Sequence, residues 1–351
     1  MSDTSRTSSK KRGCLKWGGV AVGALALLLI VLLALTWLQG SRAKAALRAK
    51  YPPPGQMVDV GGYQMHIYCR GSGSPTVVMD AGLGDFSLTW HLVQPEVAQS
   101  TRVCAYDRAG LGWSERGPKP RTVENIVEEL HTLLTDGQIE GPYVLVGHSM
   151  GGVYVRAYAF RYPDEVVGMV LVDTSHEDQD ARYPTAFSKL NEQVRAQMQQ
   201  FLLLPQLVNS LGIMAMSAEN YPAQYLPPMP EATIEVYKGV VLSSDSFFPA
   251  LREQYAHVDD NMAEVREMNI TTLGDIPLVV LSSAELELPE GYGLTAEDIA
   301  DLQAVQAQMH AELAALSPQG VVVRAEESTH YIQFDQPELV IAAISHVLDA
   351  Q

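Results

Sequence analysis

Apolar positions fall along this chain in three distinct ways, and each marks a different region. From Trp17 to Leu38 the sequence reads WGGVAVGALALLLIVLLALTWL, 22 residues without a charge. As a helix it would extend roughly 33 Å, enough to cross a hydrocarbon core of about 30 Å. Trp17 and Trp37 stand at its ends, where aromatic side chains favour the membrane–water boundary. A cleaved signal peptide normally has a shorter apolar region, about 7–15 residues, so the run predicts an uncleaved membrane anchor despite a weak AKA cleavage signal at 43–45. Residues 39–55, QGSRAKAALRAKYPPPG, read as a linker closed by a proline turn.

Past the linker, short apolar runs alternate with helix-period stretches. MVDVGG and YQMHIYCRG read as a hairpin; PTVVMDAG, TRVCAYDR, YVLVGHS, VVGMVLVD, IPLVVLSS and GVVVRAEES read as further strands. Several are apolar throughout, as strands covered on both faces must be. Helical patterns lie between them, as at 123–135 and 153–161, and a last one at 337–349 opens with Pro337 and Glu338. The pattern predicts an α/β fold: a mainly parallel eight-stranded sheet with helices on both faces. The third distribution fills the interval between Asp173 and Ile276, which is rich in helix formers and poor in strand-like runs. A structureless loop of that length is implausible, so a helical insertion at about 176–272 is expected over the sheet. The expected organisation is a basic tail (1–16), an anchor (17–38), a linker (39–55) and one domain (56–351).

Charge narrows the partners. Nine of the 24 Lys/Arg and one of the 41 Asp/Glu lie in the first 50 residues, which leaves the remainder at a net −25. So acidic a domain repels phosphate backbones, which argues against nucleic acid. Basic residues flank the anchor on both sides, but a short tail bearing KKR favours tail inside and domain on the non-cytoplasmic side. Cys14, Cys69 and Cys104 have neither metal nor disulfide-framework spacing. Cys69 and Cys104 read as buried thiols, or as one bridge if the domain meets an oxidising compartment.

Candidate chemistry begins at GHSMGG, residues 147–152. Gly147-His148-Ser149-Met150-Gly151 is a G-x-S-x-G run between a predicted strand and a predicted helix, the setting of a nucleophile elbow. The tight turn lifts the serine hydroxyl clear of the sheet, and the helix start leaves free N–H groups for a developing oxyanion. A serine needs a base. His148 should point away and pack. His330 follows the last strand-like run, on a loop at the carboxyl edge where parallel sheets build their sites. Asp107 and Arg108 read as a pair fixing their loop, Trp90 and Trp113 as core or cleft wall. HEDQD at 176–180 reads as a solvated start of the insertion, because helix N-termini favour acids. Nothing calls for a metal or a cofactor.

With these segments in hand, the chain resembles the α/β-hydrolase superfamily, in its serine-nucleophile, esterase- or lipase-like branch with a helical cap. VVMDAGLGDFSLTW resembles the family's oxyanion strand and loop, with DAG for the usual HG, and AYDRAGLGWSE its D-x-R-G-x-G-x-S segment, with Ala109 where Gly is commoner. GHSMGG, RYPDEVVGMVLVD and STHYIQFDQPELV complete the likeness. The resemblance implies Ser149 as nucleophile, His330 as general base, and an oxyanion hole from the amides of Leu83 and Met150. It leaves the acid open. The usual position follows IPLVVLSS, where this chain has AELELPEG and no Asp. Asp173, at the end of the preceding strand, is favoured as a short carboxylate at the sheet edge; Glu285 is the alternative and Glu287 a third. The implied activity is hydrolysis of carboxylic esters, with a small neutral or apolar substrate, by a membrane-bound enzyme. Amidase, aminopeptidase or acyltransferase activity, or a non-catalytic binding domain, are the alternatives. Oligomeric state has no signature in the sequence.

Overall fold

The computed structural model describes residues 7–221, 227, 229–285 and 294–351, with residues 7–19 as backbone only. Helix α1 (Thr7–Lys50) is continuous. Its segment Val20–Lys50 is long and apolar enough to cross a membrane. Residues 39–50, expected as a linker, are therefore helical. Ala, Leu, Arg and Lys are strong helix formers, and nothing interrupts them before Pro52. That last stretch is also packed: Lys44 is buried and paired with Asp245.

The domain is built on eight strands: β1 (Gln56–Asp59), β2 (Gln64–Arg70), β3 (Thr76–Asp80), β4 (Val103–Tyr106), β5 (Tyr143–His148), β6 (Val166–Val172), β7 (Leu278–Ser283) and β8 (Gly320–Ala325). Their spatial order is β1-β2-β4-β3-β5-β6-β7-β8. β1 and β2 pair antiparallel, as does β2 with β4, and every other pairing is parallel. Side chains alternate between two cores. Val77, Met79, Val144 and Val146 join Trp90 and the helix Pro337–Asp349 on one face. Val78, Leu145, Met169 and Leu171 join helices α2 (Val123–Asp136) and α3 (Met150–Arg161) on the other. The period-2 alternation of fully apolar strands thus serves helices on both sides.

Cys69 and Cys104 face each other across β2 and β4 and are disulfide-bonded, so the free-thiol reading gives way to the bridge. The reason is register: no alternation rule fixes which residues of two antiparallel strands oppose each other.

Between β6 and β7 lies the helical cap. Its main helices are α4 (Thr185–Phe201), α5 (Leu203–Ser210), α6 (Ile213–Met216), α7 (Glu231–Ser243), α8 (Phe247–Ala256) and α9 (Val258–Met268). A third core forms where α7 and α8 settle on Phe86 and Leu111, residues of the loops after β3 and β4. The acids of 176–180 are paired rather than simply solvated: Glu177 with Arg156 at 2.8 Å, Asp178 with Arg266 at 2.6 Å, Asp180 with Arg195 at 2.9 Å. They tie the entry of the cap to α3, α9 and α4.

Candidate active site

Ser149 stands between β5 and α3 with φ 53° and ψ −121°, a backbone state that L residues rarely adopt. Such strain persists only where surroundings over-determine it. Here they do. The Ser149 N–H donates to Val172 O (3.1 Å), and its carbonyl accepts from the Thr174 hydroxyl (3.0 Å) and the Ser175 N–H (3.2 Å). Glycine is required on both sides of the turn. A Cβ on Gly147 would lie 2.6 Å from the Gly152 backbone, and one on Gly151 would lie 2.6 Å from the carbonyls of Asp80 and Ala81. Met150 opens α3, so no intrahelical carbonyl reaches its amide.

Asp173 directly follows β6 with φ 41° and is buried. Its Oδ2 lies 2.7 Å from His330 Nδ1. Its Oδ1 accepts from the Ser283 N–H (2.9 Å) and from Gln306 Nε2 (3.3 Å). Burial alone would raise this carboxyl, but the His330 hydrogen bond and charge outweigh it and hold Asp173 below the usual carboxylate range. His330 is tied to the serine turn from another side. The neighbour of Ser149, His148, is buried, with its Nε2 2.9 Å from the His330 carbonyl. Burial and the nearby His330 push His148 down to about 3, so it stays neutral and packs. Glu285 is exposed, and its N–H donates to Ser328 O (3.0 Å). Glu287 lies outside the described residues.

The loop after β3 is held by Arg108, which donates to Asp80, to the Ala81 carbonyl at 2.6 Å and to the Gly82 carbonyl. Asp107 accepts from Ser87 N–H (2.8 Å), Trp113 N–H (2.9 Å) and His66 Nδ1 (2.9 Å). Both groups therefore position backbone. The Asp of DAG has its explanation here: Asp80 is the partner of Arg108 and of the Tyr106 hydroxyl (2.6 Å). Among the described residues the Leu83 amide has no hydrogen-bond partner, while the next amide, Gly84, donates to Gln254 of the cap (3.0 Å).

Leu83 also borders a cavity of about 660 Å³ roofed by the cap. Its wall is mostly apolar, with Leu202, Val241, Phe247, Phe248 and Leu251 beside Tyr237, Tyr331 and Asp85. Asp85 was not singled out from the sequence. Burial raises it to about 6, against the opposing pull of Arg108, the Tyr331 hydroxyl, His330 and the Tyr237 hydroxyl. The only signal was a lone acid in GLGDFSLTW. Tyr237 had none, because its contact crosses from cap to core. Chemically, an imidazole fixed through Nδ1 by an ionised carboxylate can take a proton at Nε2, and free amides beside a serine can hold an oxyanion.

The sequence pattern of the alpha/beta hydrolase family matches residues 77–343. The chain is 26% identical over 278 residues to the uncharacterized protein YqjL of Bacillus subtilis, covering 79% of this chain and 85% of that protein. Three other curated relatives are much longer, and the chain spans only 15%, 20% and 21% of them. Among solved structures it resembles Cfl2 from Burkholderia cenocepacia (TM-score 0.63, 20% identity, 83% of this chain and 94% of that one). It also resembles a thermophilic esterase from Thermogutta terrifontis (TM-score 0.56, 23% identity, 84% of this chain and 98% of that one). At these identities the structures speak for the fold.

Proposed function

The chain belongs to the alpha/beta hydrolase family, and on that premise we propose that it is a membrane-anchored serine hydrolase that cleaves carboxylic esters through an acyl-enzyme. The observation that carries the proposal is the buried Asp173 carboxylate 2.7 Å from His330 Nδ1, on the segment that also binds the Ser149 backbone. In this reading Ser149 Oγ attacks the ester carbonyl and His330 takes its proton. Asp173 fixes the imidazole tautomer and stabilises the imidazolium, and the amides of Leu83 and Met150 receive the oxyanion. His330 then protonates the leaving alcohol and activates the water that releases the acid. The mostly apolar cavity favours a neutral or apolar ester, and the acidity of the domain disfavours anions.

Residues 17–38 of α1 are the membrane anchor in this proposal. The Cys69–Cys104 bridge supports a domain on the non-cytoplasmic side, since disulfides persist in oxidising compartments. The test is Ser149→Ala together with fluorophosphonate labelling. The variant should fold, lose labelling and lose turnover of p-nitrophenyl esters by on the order of 10⁶-fold. Substantial turnover in a contaminant-free preparation refutes the mechanism.

A further inference from the structure

The end of α1 and the cap form one packed unit. Gly40 lies against the turn between α5 and α6, so closely that a Cβ would come within 2.0 Å of Leu211 O. Lys44 and Arg48 reach Asp245, Arg48 also holds the Ser243 carbonyl (2.7 Å), and Tyr51 packs on Gly239. The anchor therefore hands over to the cap without a flexible joint. It also fixes a height. The apolar run ends at Leu38, and Gly40 is two residues on, about 3 Å along a helix axis. On the anchor reading, the α5–α6 turn then lies near the boundary of the hydrocarbon core.

At that level the cap is unusually apolar outside. Leu203, Leu204, Leu207, Ile213 and Met216 are 36–67% exposed on α5 and α6, with Phe201 at 56% just before them. Single exposed apolar residues are ordinary, but six within sixteen positions beside an apolar anchor are a patch. The same stretch lines the cavity: Phe201 and Ser217 line it while exposed, and Pro205 and Met214 line it from α5 and α6.

We propose that the α5–α6 face of the cap is immersed in the membrane that α1 crosses, so that the cavity opens to the bilayer and takes lipid esters dissolved in it. This rests on the anchor and ester-hydrolase readings above. A bilayer is favoured over a protein partner by continuity: the patch adjoins the membrane-spanning segment itself, and a membrane-level apolar helix face buries in the acyl boundary.

The experiment uses the full chain in phosphatidylcholine vesicles. An environment-sensitive fluorophore is placed at Leu204→Cys in a Cys14→Ser background, with Val322→Cys on β8 as the control. Brominated lipids should quench the probe at 204 strongly and at 322 hardly at all. The exposed pair Leu204→Asp/Leu207→Asp should lower turnover of a long-chain diacylglycerol in the vesicle at least tenfold. It should leave a short soluble p-nitrophenyl ester within twofold and membrane pelleting unchanged. If pelleting and short-ester turnover hold in the parent chain while the 204 probe is unquenched and the double variant matches the parent on vesicle substrate, the proposal is overturned. A probe at 204 that responds to protein concentration instead of brominated lipid assigns the face to a second copy and overturns it too. Loss of pelleting in the parent chain defeats the anchor reading, and absence of short-ester turnover defeats the hydrolase reading; the proposal falls with either, by a distinguishable result.

Discussion

Replacing Asp173 by Asn removes one charge and almost no volume, so it isolates what the carboxylate does. In the parent protein Oδ1 accepts from the Ser283 N–H at 2.9 Å and Oδ2 faces His330 Nδ1 at 2.7 Å. An amide keeps its oxygen toward Ser283, because turning the NH₂ there would set donor against donor. The NH₂ then faces His330 Nδ1, which must become an acceptor. The ring proton moves to Nε2, where it blocks proton uptake from serine. A serine-protease triad treated this way loses about 10⁴ in turnover, equivalent to about 5 kcal/mol of barrier. We expect a loss of that order for Asp173→Asn, with a modestly lower melting temperature at neutral pH, where the parent carboxylate is stabilising. At acid pH that difference should close. A carboxyl held below its unfolded value stabilises the fold above roughly pH 4 and loses that contribution as pH falls through its folded value. The parent should therefore show an acid-side loss of stability that the variant lacks. The assay is initial-rate hydrolysis of a p-nitrophenyl ester beside circular-dichroism melts, with Glu285→Gln as the comparison. Near-normal turnover in folded Asp173→Asn together with collapse in Glu285→Gln would refute the assignment of Asp173.

Asp85→Asn should retain acceptance from Tyr237 and Tyr331 and remove a buried charge. A carboxyl raised to about 6 makes the parent lose stability as pH rises from about 4 to 6, by a total of roughly 3 kcal/mol; urea midpoints across this window should show that loss in the parent and not in the variant. The Cys69–Cys104 bridge closes a separation of 35 residues, which corresponds to about 4 kcal/mol of restricted unfolded-state entropy. The Cys69→Ser/Cys104→Ser protein should unfold at correspondingly lower urea, and unchanged stability would contradict the bridge.

What could be read from the sequence follows the range of the forces involved. The turn around Ser149 is local: strand, glycine spacing and helix start lie within a dozen residues, and steric limits on Gly147 and Gly151 dictate it. The strands were legible because burial on both faces leaves a continuous apolar run. His330 was proposed from its position after the last strand, and Asp173 was favoured over Glu285 from its place at a strand end. Their contact had no local signal, because 157 residues separate them and the folded sheet edge brings them to 2.7 Å. Nor had the surroundings of Asp85, which are assembled from Arg108, Tyr237 and the His330–Tyr331 pair, three distant places in the chain.

The misread linker has the most instructive cause. Polar, charged sequence between an apolar helix and a proline turn suggests a tether, but RAKAALRAK has high helix propensity and continues a helix already nucleated. Propagation from a formed helix costs far less than starting one, so the junction stays helical. Its charges then find partners on the cap: Lys44 is buried and reaches the exposed carboxylate of Asp245, so truncating Asp245 would strand the lysine charge in the interface. Coupling of α1 to the cap follows from helix propagation plus the Lys44 and Arg48 contacts with Asp245. On the membrane-anchor proposal, the orientation of the cap toward the bilayer would be inherited from α1.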